Sequence, residues 1–281
     1  MTRDVGWIGL GRMGLPMAER VLAAGRRLHA WARDPARAAP VLERGAILAH
    51  TPEDLARQAD VVVTIVGGPD DVRALHDRML PSARRDAVFV DMTTASPRTA
   101  EASTALAARH GAHVIDAPVT GGVAGARQGT LTAFAGGDAD IVEHVHPLLD
   151  AFCARVVACG PAGAGYRMKL VNQTMIAGTL LGLANGAALA RAFGFDAAHV
   201  AAALRDGTAS GRLFEGYVAR MMTRDGAITF TLGLLRKDVR LARAEARRFG
   251  ATPFHDFALH ALDDACMRYG EGAGVQALAF D

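Results

Sequence analysis

The first half of the chain alternates short apolar runs with segments of helical periodicity. Strands are expected at residues 5–9, 28–32, 46–48, 60–66, 87–91 and 113–116, with helices at 17–22, 35–44, 52–58, 70–79 and 97–110. Residues 61–66 read Val-Val-Val-Thr-Ile-Val, a run typical of a parallel strand buried on both faces. Two more strands are expected at 131–135 and 155–158, around a helix at 139–151. This alternation predicts a doubly wound, Rossmann-type sheet.

After Gly165 the strand pattern ends, and the remaining sequence predicts only helices, at 166–193, 197–204, 213–222, 234–249 and 254–269. The sequence therefore predicts an α/β protein with two domains. Residues 1–162 form the N-terminal Rossmann-type domain, and residues 163–281 form an all-α C-terminal domain that begins with a long interdomain helix. On that helix Gly178, Gly182 and Gly186 recur every four residues, which indicates either close approach of another helix backbone or core packing within one subunit.

Composition limits the classes of partner. The 281 residues are 51% hydrophobic with a net charge of +2, and the basic residues are scattered, so we expect no nucleic-acid or membrane partner. Cys153, Cys159 and Cys266 lack metal-ligand spacing, which predicts no metal site and reduced thiols in a cytoplasmic protein. The first residues do not resemble a secretory signal. The long helix is expected to be buried rather than to span a membrane, because polar residues interrupt it: Asn172, Gln173, Thr174, Thr179 and Asn185.

A glycine-rich loop joins the first strand to the first helix. Its residues Gly9, Gly11 and Gly14 have the spacing of dinucleotide-binding loops. The first glycine can make the tight turn, the second lets a pyrophosphate approach the backbone, and the third lets helix and strand pack closely. The phosphates would lie at the helix N-terminus. The order of strand, loop and helix predicts that a dinucleotide binds here.

The end of the second predicted strand bears on the choice of dinucleotide. An acidic residue at this place usually accepts a hydrogen bond from the ribose 2′-hydroxyl of NAD. Here Ala32 is followed by Arg33, whose guanidinium can hold a 2′-phosphate. NADP(H) is therefore favoured, and Arg12 in the glycine loop adds positive charge nearby. Asp34 could still turn back to the ribose, so NAD(H) remains possible.

Lys169 is the best candidate for proton transfer. It lies near the start of the long helix, after a Gly-Pro-Ala-Gly-Ala-Gly segment that lets other groups approach closely. Asn172 and Gln173 follow it by three and four residues and so share its helix face. A lysine chosen at random is usually a solvated surface residue. At this position desolvation can bring its pKa toward neutrality, as acid–base catalysis requires.

Five motifs in this order resemble the β-hydroxyacid dehydrogenase family, over most of the chain. They are Gly-Leu-Gly-Arg-Met-Gly-Leu-Pro-Met-Ala at 9–18, Asp-Met-Thr-Thr-Ala-Ser-Pro at 91–97, Asp-Ala-Pro-Val-Thr-Gly-Gly-Val-Ala-Gly-Ala-Arg-Gln-Gly-Thr-Leu at 116–131, Gly-Ala-Gly-Tyr-Arg-Met-Lys-Leu-Val-Asn-Gln at 163–173, and Lys-Asp at 237–238. The family includes 3-hydroxyisobutyrate dehydrogenase, tartronate semialdehyde reductase and the glyoxylate/succinic semialdehyde reductases. The resemblance implies hydride transfer between a nicotinamide cofactor and a small 3-hydroxy acid or its semialdehyde.

The resemblance also implies roles for individual residues. Lys169 matches the catalytic general acid/base. The implied substrate-binding residues are Thr120, Gly121, Gly122, Asn172 and Gln173. The implied cofactor-binding residues are Gly9, Leu10, Gly11, Arg12, Met13, Gly14, Arg33, Val66, Thr94 and Lys237. Many relatives carry asparagine in place of Gln173 and serine in place of Thr120, so the identity of the acid stays open. The segment 120–122 could alternatively be a plain tight turn.

Two other functions share these features. An imine reductase has the same architecture but usually replaces the catalytic lysine, and a non-catalytic dinucleotide-binding scaffold has lost it. The presence of Lys169 argues against both. The long helix is apolar or small on nearly every face, more than a small helical domain would cover alone, so we expect a homodimer or homotetramer built on the C-terminal half.

Overall fold

The computed structural model describes residues 4–250 and 253–280, in two compact units, Met1–Lys169 and Leu170–Asp281. The first three residues, on which the expectation about a secretory signal partly rests, lie outside the described part. The strands are β1 (Asp4–Ile8), β2 (Arg27–Trp31), β3 (Ile47–Leu48), β4 (Val61–Thr64), β5 (Val88–Asp91), β6 (His113–Asp116), β7 (Val119–Thr120), β8 (Leu131–Gly136) and β9 (Cys153–Gly160). The helices of this unit are α1 (Gly14–Ala23), α2 (Ala39–Leu42), α3 (Pro52–Gln58), α4 (Pro69–Met79), α5 (Pro97–Arg109), α6 (Gly122–Gln128) and α7 (Ala139–Leu149).

All nine strands form one sheet, which confirms the Rossmann-type fold. Strands β3-β2-β1-β4-β5-β6 are parallel neighbours in that order, and β8 then pairs antiparallel with both β6 and β7 and parallel with β9. Val61 and Val63 join the hydrophobic core on one face of the sheet, while Val62 joins the core on the other. The expectation that β4 is buried on both faces is therefore confirmed, and both faces of the sheet are covered by helices.

Two local expectations need correction. The helix expected at 35–44 is a 3₁₀ turn at Pro35–Ala38 followed by the four-residue α2, because Pro40 has no N–H to continue an α-helical ladder. The segment considered as a plain tight turn at 120–122 instead ends β7 and starts α6. Positive φ angles at Gly121 (125°) and Gly122 (64°) make that junction possible.

The second unit is helical, as expected. Helix α8 (Ala164–Ala192) begins in the first unit and continues into the second, where it is followed by α9 (Ala197–Leu204), α10 (Arg212–Thr223), α11 (Leu232–Ala246) and α12 (Pro253–Tyr269). Two 3₁₀ turns, at Arg247–Phe249 and Val275–Ala279, were not predicted. One face of α8 packs into the core of this unit, through residues that include Ala177, Leu180 and Ala184.

The opposite side of α8 is exposed in the single chain. Met175 and Leu189 of α8, and Phe193 directly after it, are each more than half exposed. A Cβ atom on Gly178 would touch Phe254, whereas Gly182 has open space around it, so internal packing explains only part of the glycine stripe. By length and composition α8 could cross a membrane, a property that core helices of soluble proteins share. The expectation of a buried helix therefore holds for one face only.

Candidate active site

The glycine loop between β1 and α1 has two glycines that the fold itself requires. A Cβ atom on Gly9 would lie 1.9 Å from the carbonyl oxygen of Ile65, and one on Gly14 would lie 1.8 Å from the carbonyl oxygen of Gly9. Gly11 is different, because nothing lies within 4 Å of the place a Cβ would take. The space beside Gly11 is open, as the approach of a pyrophosphate to the backbone requires.

The turn after β2 has an ion pair that the sequence did not reveal. The Arg33 guanidinium lies 2.9 Å from a carboxylate oxygen of Asp71, near the start of α4, and is exposed. Asp34 accepts a hydrogen bond from the backbone N–H of Ala36 and so caps the 3₁₀ turn that follows it. The carboxylate of Asp34 is thus engaged locally, while the Arg33 guanidinium is held at the surface by another side chain.

Val66 and Thr94, two other predicted cofactor residues, follow the carboxyl ends of neighbouring strands, whereas Lys237 lies in α11. Val66 follows β4, and its backbone N–H donates to the hydroxyl of Thr93 at 3.0 Å. Thr94 is half-buried in the segment after β5. In open α/β sheets ligands bind at this edge, where the order of strands reverses. Leu10 is buried, Met13 half-buried and Arg12 exposed within the glycine loop.

Lys169 is buried with only 8% of its surface exposed, and its ammonium donates a hydrogen bond of 2.8 Å to the carbonyl oxygen of Val119. Val119 directly precedes Thr120, the first residue of the predicted substrate loop. The fold therefore brings the predicted proton-transfer group next to the predicted substrate loop, 50 residues apart in the chain. This lysine is not the solvated surface residue that lysines usually are.

The start of α8 is fixed by a carboxylate that the sequence reasoning did not single out. Asp116, the last residue of β6, accepts hydrogen bonds of 2.7 Å from the backbone N–H groups of Gly163 and Tyr166. The phenol of Tyr166 donates at 2.7 Å to Asp91, the last residue of β5. Asp91 and Asp116 are register partners across the two strands. The sequence does show an aspartate at the end of each of these two strands. It does not show that their hydrogen-bond partners lie at the start of α8.

Burial dominates the electrostatics of this cluster. It raises the pKa of Asp116 to about 7, because desolvation of the carboxylate outweighs the two backbone N–H groups that favour the charged form. Burial also raises the pKa of Tyr166 well above its usual value, and the neighbouring carboxylate of Asp91 adds to that effect. Tyr166 is therefore a neutral donor that joins two carboxylates, one turn before Lys169.

In the second unit, Asn172 and Gln173 belong to a hydrogen-bonded chain. The Nδ2 of Asn172 donates to Oε1 of Gln173 at 2.9 Å, and the Nε2 of Gln173 donates to Oδ2 of Asp238 at 2.6 Å. Lys237 Nζ lies 2.9 Å from the other oxygen of Asp238, an ion pair rather than an aligned hydrogen bond. Gln173 is buried, and both ends of its amide are occupied, whereas Asn172 is half-buried.

Thr120 is half-buried, and Gly121 and Gly122 are exposed at the start of α6. Both glycines of the predicted substrate loop therefore reach the surface. Within residues 4–250 and 253–280, no group of three or more His, Cys, Asp or Glu side chains could hold a metal ion.

Comparison with known proteins identifies close similarities over the whole chain. The profile described as the NAD binding domain of 6-phosphogluconate dehydrogenase matches residues 4–160, and that described as the NAD-binding of NADP-dependent 3-hydroxyisobutyrate dehydrogenase matches residues 163–279. A probable mitochondrial 3-hydroxyisobutyrate dehydrogenase-like protein of Arabidopsis thaliana is 39% identical, over 88% of this chain and 78% of the relative.

Solved structures of related enzymes also resemble this chain. The Mycobacterium tuberculosis 3-hydroxyisobutyrate dehydrogenase with L-serine has a TM-score of 0.90 at 27% identity, covering 100% of this chain and 99% of that one. Psf3 in complex with NADP+ and 2-OPP has a TM-score of 0.91 at 29% identity, covering 98% and 99%. An imine reductase of Streptomyces aurantiacus shares the fold at a TM-score of 0.70, covering 98% of each chain, and its 22% identity carries no further conclusion.

Proposed function

Since the chain belongs to the β-hydroxyacid dehydrogenase family, and is thus a nicotinamide-dependent oxidoreductase, we propose that it transfers a hydride between its cofactor and a small 3-hydroxy acid or the corresponding semialdehyde. The proposed general acid/base is Lys169. The hydrogen bond between Lys169 and Val119, beside the substrate loop, is the observation that carries this proposal.

The composition of the chain strengthens the role of Lys169. Of its 31 basic residues 29 are arginines, and the two lysines are Lys169 and Lys237. Arginine remains charged at any pH a protein meets, whereas a desolvated lysine can release and recover a proton. A chain that uses arginine at nearly every basic position has kept lysine where proton transfer is proposed.

A bound nicotinamide would supply or accept the hydride, while side chains of the protein would transfer the proton and bind the substrate. In oxidation, neutral Lys169 would take the proton from the substrate hydroxyl as the carbonyl forms; in reduction, its ammonium would return it. We propose that backbone N–H groups of the segment Thr120, Gly121 and Gly122 hold the substrate carboxylate. Asn172 and Gln173 complete the proposed substrate residues.

NADP(H) is the proposed preferred cofactor. Ala32 has no group to accept from a ribose hydroxyl, Asp34 is engaged with Ala36, and Arg33 can hold a 2′-phosphate. Lys237, Val66 and Thr94 remain proposed cofactor contacts. We also propose a cytoplasmic homodimer or homotetramer, supported by the exposed apolar side of α8.

A direct test measures the formation of NADPH or NADH with a panel of small 3-hydroxy acids, and their consumption with C3 and C4 semialdehydes, glyoxylate and cyclic imines. We expect turnover with the carboxylated substrates. Propanal should react far more slowly than its carboxylated analogue, because the anchoring N–H groups would be left unpaired. Reduction of cyclic imines alone would overturn the proposal.

A further inference from the structure

The hydrogen bonds between Asp238, Gln173 and Asn172 all run in one direction, and the carboxylate of Asp238 determines that direction. An ionised carboxylate accepts hydrogen bonds but donates none. Asp238 is ion-paired with Lys237 through Oδ1, and its Oδ2 accepts the hydrogen bond from Gln173. Gln173 must turn its NH₂ group toward Asp238, which leaves its carbonyl oxygen facing Asn172. Asn172 must in turn direct its NH₂ group to Gln173.

This direction determines which group of the Asn172 amide is left to meet a ligand. Its carbonyl oxygen Oδ1 points away from Gln173 and, within residues 4–250 and 253–280, takes part in no hydrogen bond. A partner opposite this oxygen must be a hydrogen-bond donor. The opposite amide orientation would present the NH₂ group there and require an acceptor. A half-buried acceptor left unpaired on ligand binding costs affinity.

We propose that Asp238 is a positioning residue that, through Gln173, fixes the amide of Asn172 so that the enzyme prefers 3-hydroxy acids with a donor on carbon 2. An amino group at that carbon can donate to Oδ1, whereas a methyl group cannot. This inference rests on the proposed function, because it places the substrate beside Asn172. L-Serine and 3-hydroxyisobutyrate are suitable probes, since they differ at carbon 2 by an ammonium and a methyl group.

Replacing Asp238 by asparagine should reverse the chain of hydrogen bonds. The ammonium of Lys237 would attract the new amide oxygen, so the new NH₂ group would face Gln173. Gln173 would then turn its oxygen toward residue 238 and its NH₂ toward Asn172, whose own NH₂ would become the free group. The oxygen that accepts from the substrate would be lost from the site, although the substitution preserves shape.

The experiment compares kcat/KM for L-serine with that for each enantiomer of 3-hydroxyisobutyrate, in wild type and variants. Wild type should favour L-serine. Asp238→Asn should lower the ratio of L-serine to 3-hydroxyisobutyrate about tenfold, as expected for one unpaired group. Gln173→Met should also lower it, because the amide of Asn172 is no longer held. That variant keeps the charge of Asp238, so a purely electrostatic effect of Asp238 predicts no change.

A double variant supplies the rescue. In Asp238→Asn with Gln173→Glu the carboxylate moves to position 173, where it again accepts from the NH₂ group of Asn172. The ratio of L-serine to 3-hydroxyisobutyrate should return toward the wild-type value. If the two substitutions only damaged packing, their effects on this ratio would add instead. Asp263→Asn is the matched control, because it removes a carboxylate of the same unit that pairs with Arg240 on the surface. Its ratio should stay unchanged.

The outcomes separate the two proposals. If wild type oxidises none of the 3-hydroxy acids with NADP+ or NAD+, the proposed function is wrong. If it oxidises them without favouring L-serine, or if Asp238→Asn or Gln173→Met leaves the ratio unchanged, the positioning role is wrong. Melting temperatures measured in parallel show whether each variant is folded, and the ratio of two substrates is insensitive to loss of active protein.

Discussion

The ammonium of Lys169 donates to the carbonyl oxygen of Val119 at 2.8 Å. This bond joins the first turns of α8 to β7, the strand whose last residue begins the proposed substrate loop. Lys169 is therefore held by the strand that leads into the loop, although the two segments lie 50 residues apart in the chain.

Lys169→Ala should lower kcat at least ~10²-fold while the cofactor still binds, because general acid–base catalysis typically contributes that much. Lys169→Arg should be nearly as impaired, since arginine does not release its proton. Steady-state kinetics and fluorescence titration with NADPH check both statements. Arg167→Ala, which removes an exposed partner of Glu101 two residues away, is the control. Near-normal turnover by Lys169→Ala would exclude the assignment.

Gly165→Ala should damage both stability and turnover. Its Cβ would lie 2.2 Å from the carbonyl oxygen of Phe134 and 2.5 Å from that of Asp116, and backbone atoms cannot move aside cheaply. A loss of roughly 1–3 kcal/mol in the free energy of unfolding is expected from such overpacking. Urea denaturation measures it.

The control for that variant is Gly216→Ala, in the exposed middle of α10 with nothing within 4 Å of the new Cβ. It should raise stability by roughly 0.5–1 kcal/mol, the usual difference between alanine and glycine in a helix. Equal effects of the two substitutions would mean that α8 does not pack on the sheet as closely as described.

Asp116 should give the stability a recognisable pH dependence. Its pKa is raised to about 7 in the folded protein, so the folded state binds the proton more readily than the unfolded state. Its favourable contribution is complete below the ordinary pKa near 4 and is lost as the pH rises through about 7. Asp116→Asn removes this titration. The unfolding free energy of wild type minus that of the variant should fall between about pH 4 and pH 7, by at most about 1.4 kcal/mol per pH unit, and level off at higher pH.

Denaturant titrations at several pH values test the Asp116 prediction. Asp206→Asn, at an exposed position, should show no such trend and serves as the control. A difference that is flat or rises with pH would show that Asp116 is ionised throughout this range.

The cofactor preference should depend on the turn after β2. Wild type should have the higher kcat/KM with NADPH, and the double variant Ala32→Asp, Arg33→Ala should shift the preference toward NADH. The new carboxylate accepts from a ribose hydroxyl and repels a 2′-phosphate. Arg73→Ala removes an exposed arginine that is paired with Asp70 and is the control for loss of charge. A wild type that prefers NADH would contradict the proposal.

The exposed side of α8 should mediate self-association. Light scattering at micromolar concentration should give the mass of a dimer or tetramer. Phe193→Glu, which places a charge on that side, should lower the mass, while Met267→Glu, at an exposed apolar residue of α12, should not. Large exposed apolar patches on a single chain usually mark such contacts. A monomeric wild type would rule the assembly out.

Local patterns were enough to predict most elements. Helix α3 has the predicted bounds because Thr51 caps it and Pro52 favours its first turn. Strand β6 also has its predicted bounds, since a short apolar run between turn residues forms a strand wherever it is buried. The family motifs and the helix face shared by Lys169, Asn172 and Gln173 can likewise be read along the chain, because each depends on residues a few positions apart.

The tertiary structure alone decided the partners of the polar groups. Asp116 binds the start of a helix 47 to 50 residues later, and Gln173 binds Asp238 65 residues later. Neither pairing leaves a periodic signal, because a hydrogen bond between distant segments depends on how strands and helices are arranged in space. The charge and polarity of a buried site are set by those partners. The sequence thus identified the chemical groups of the site, and only the fold decided how they are oriented.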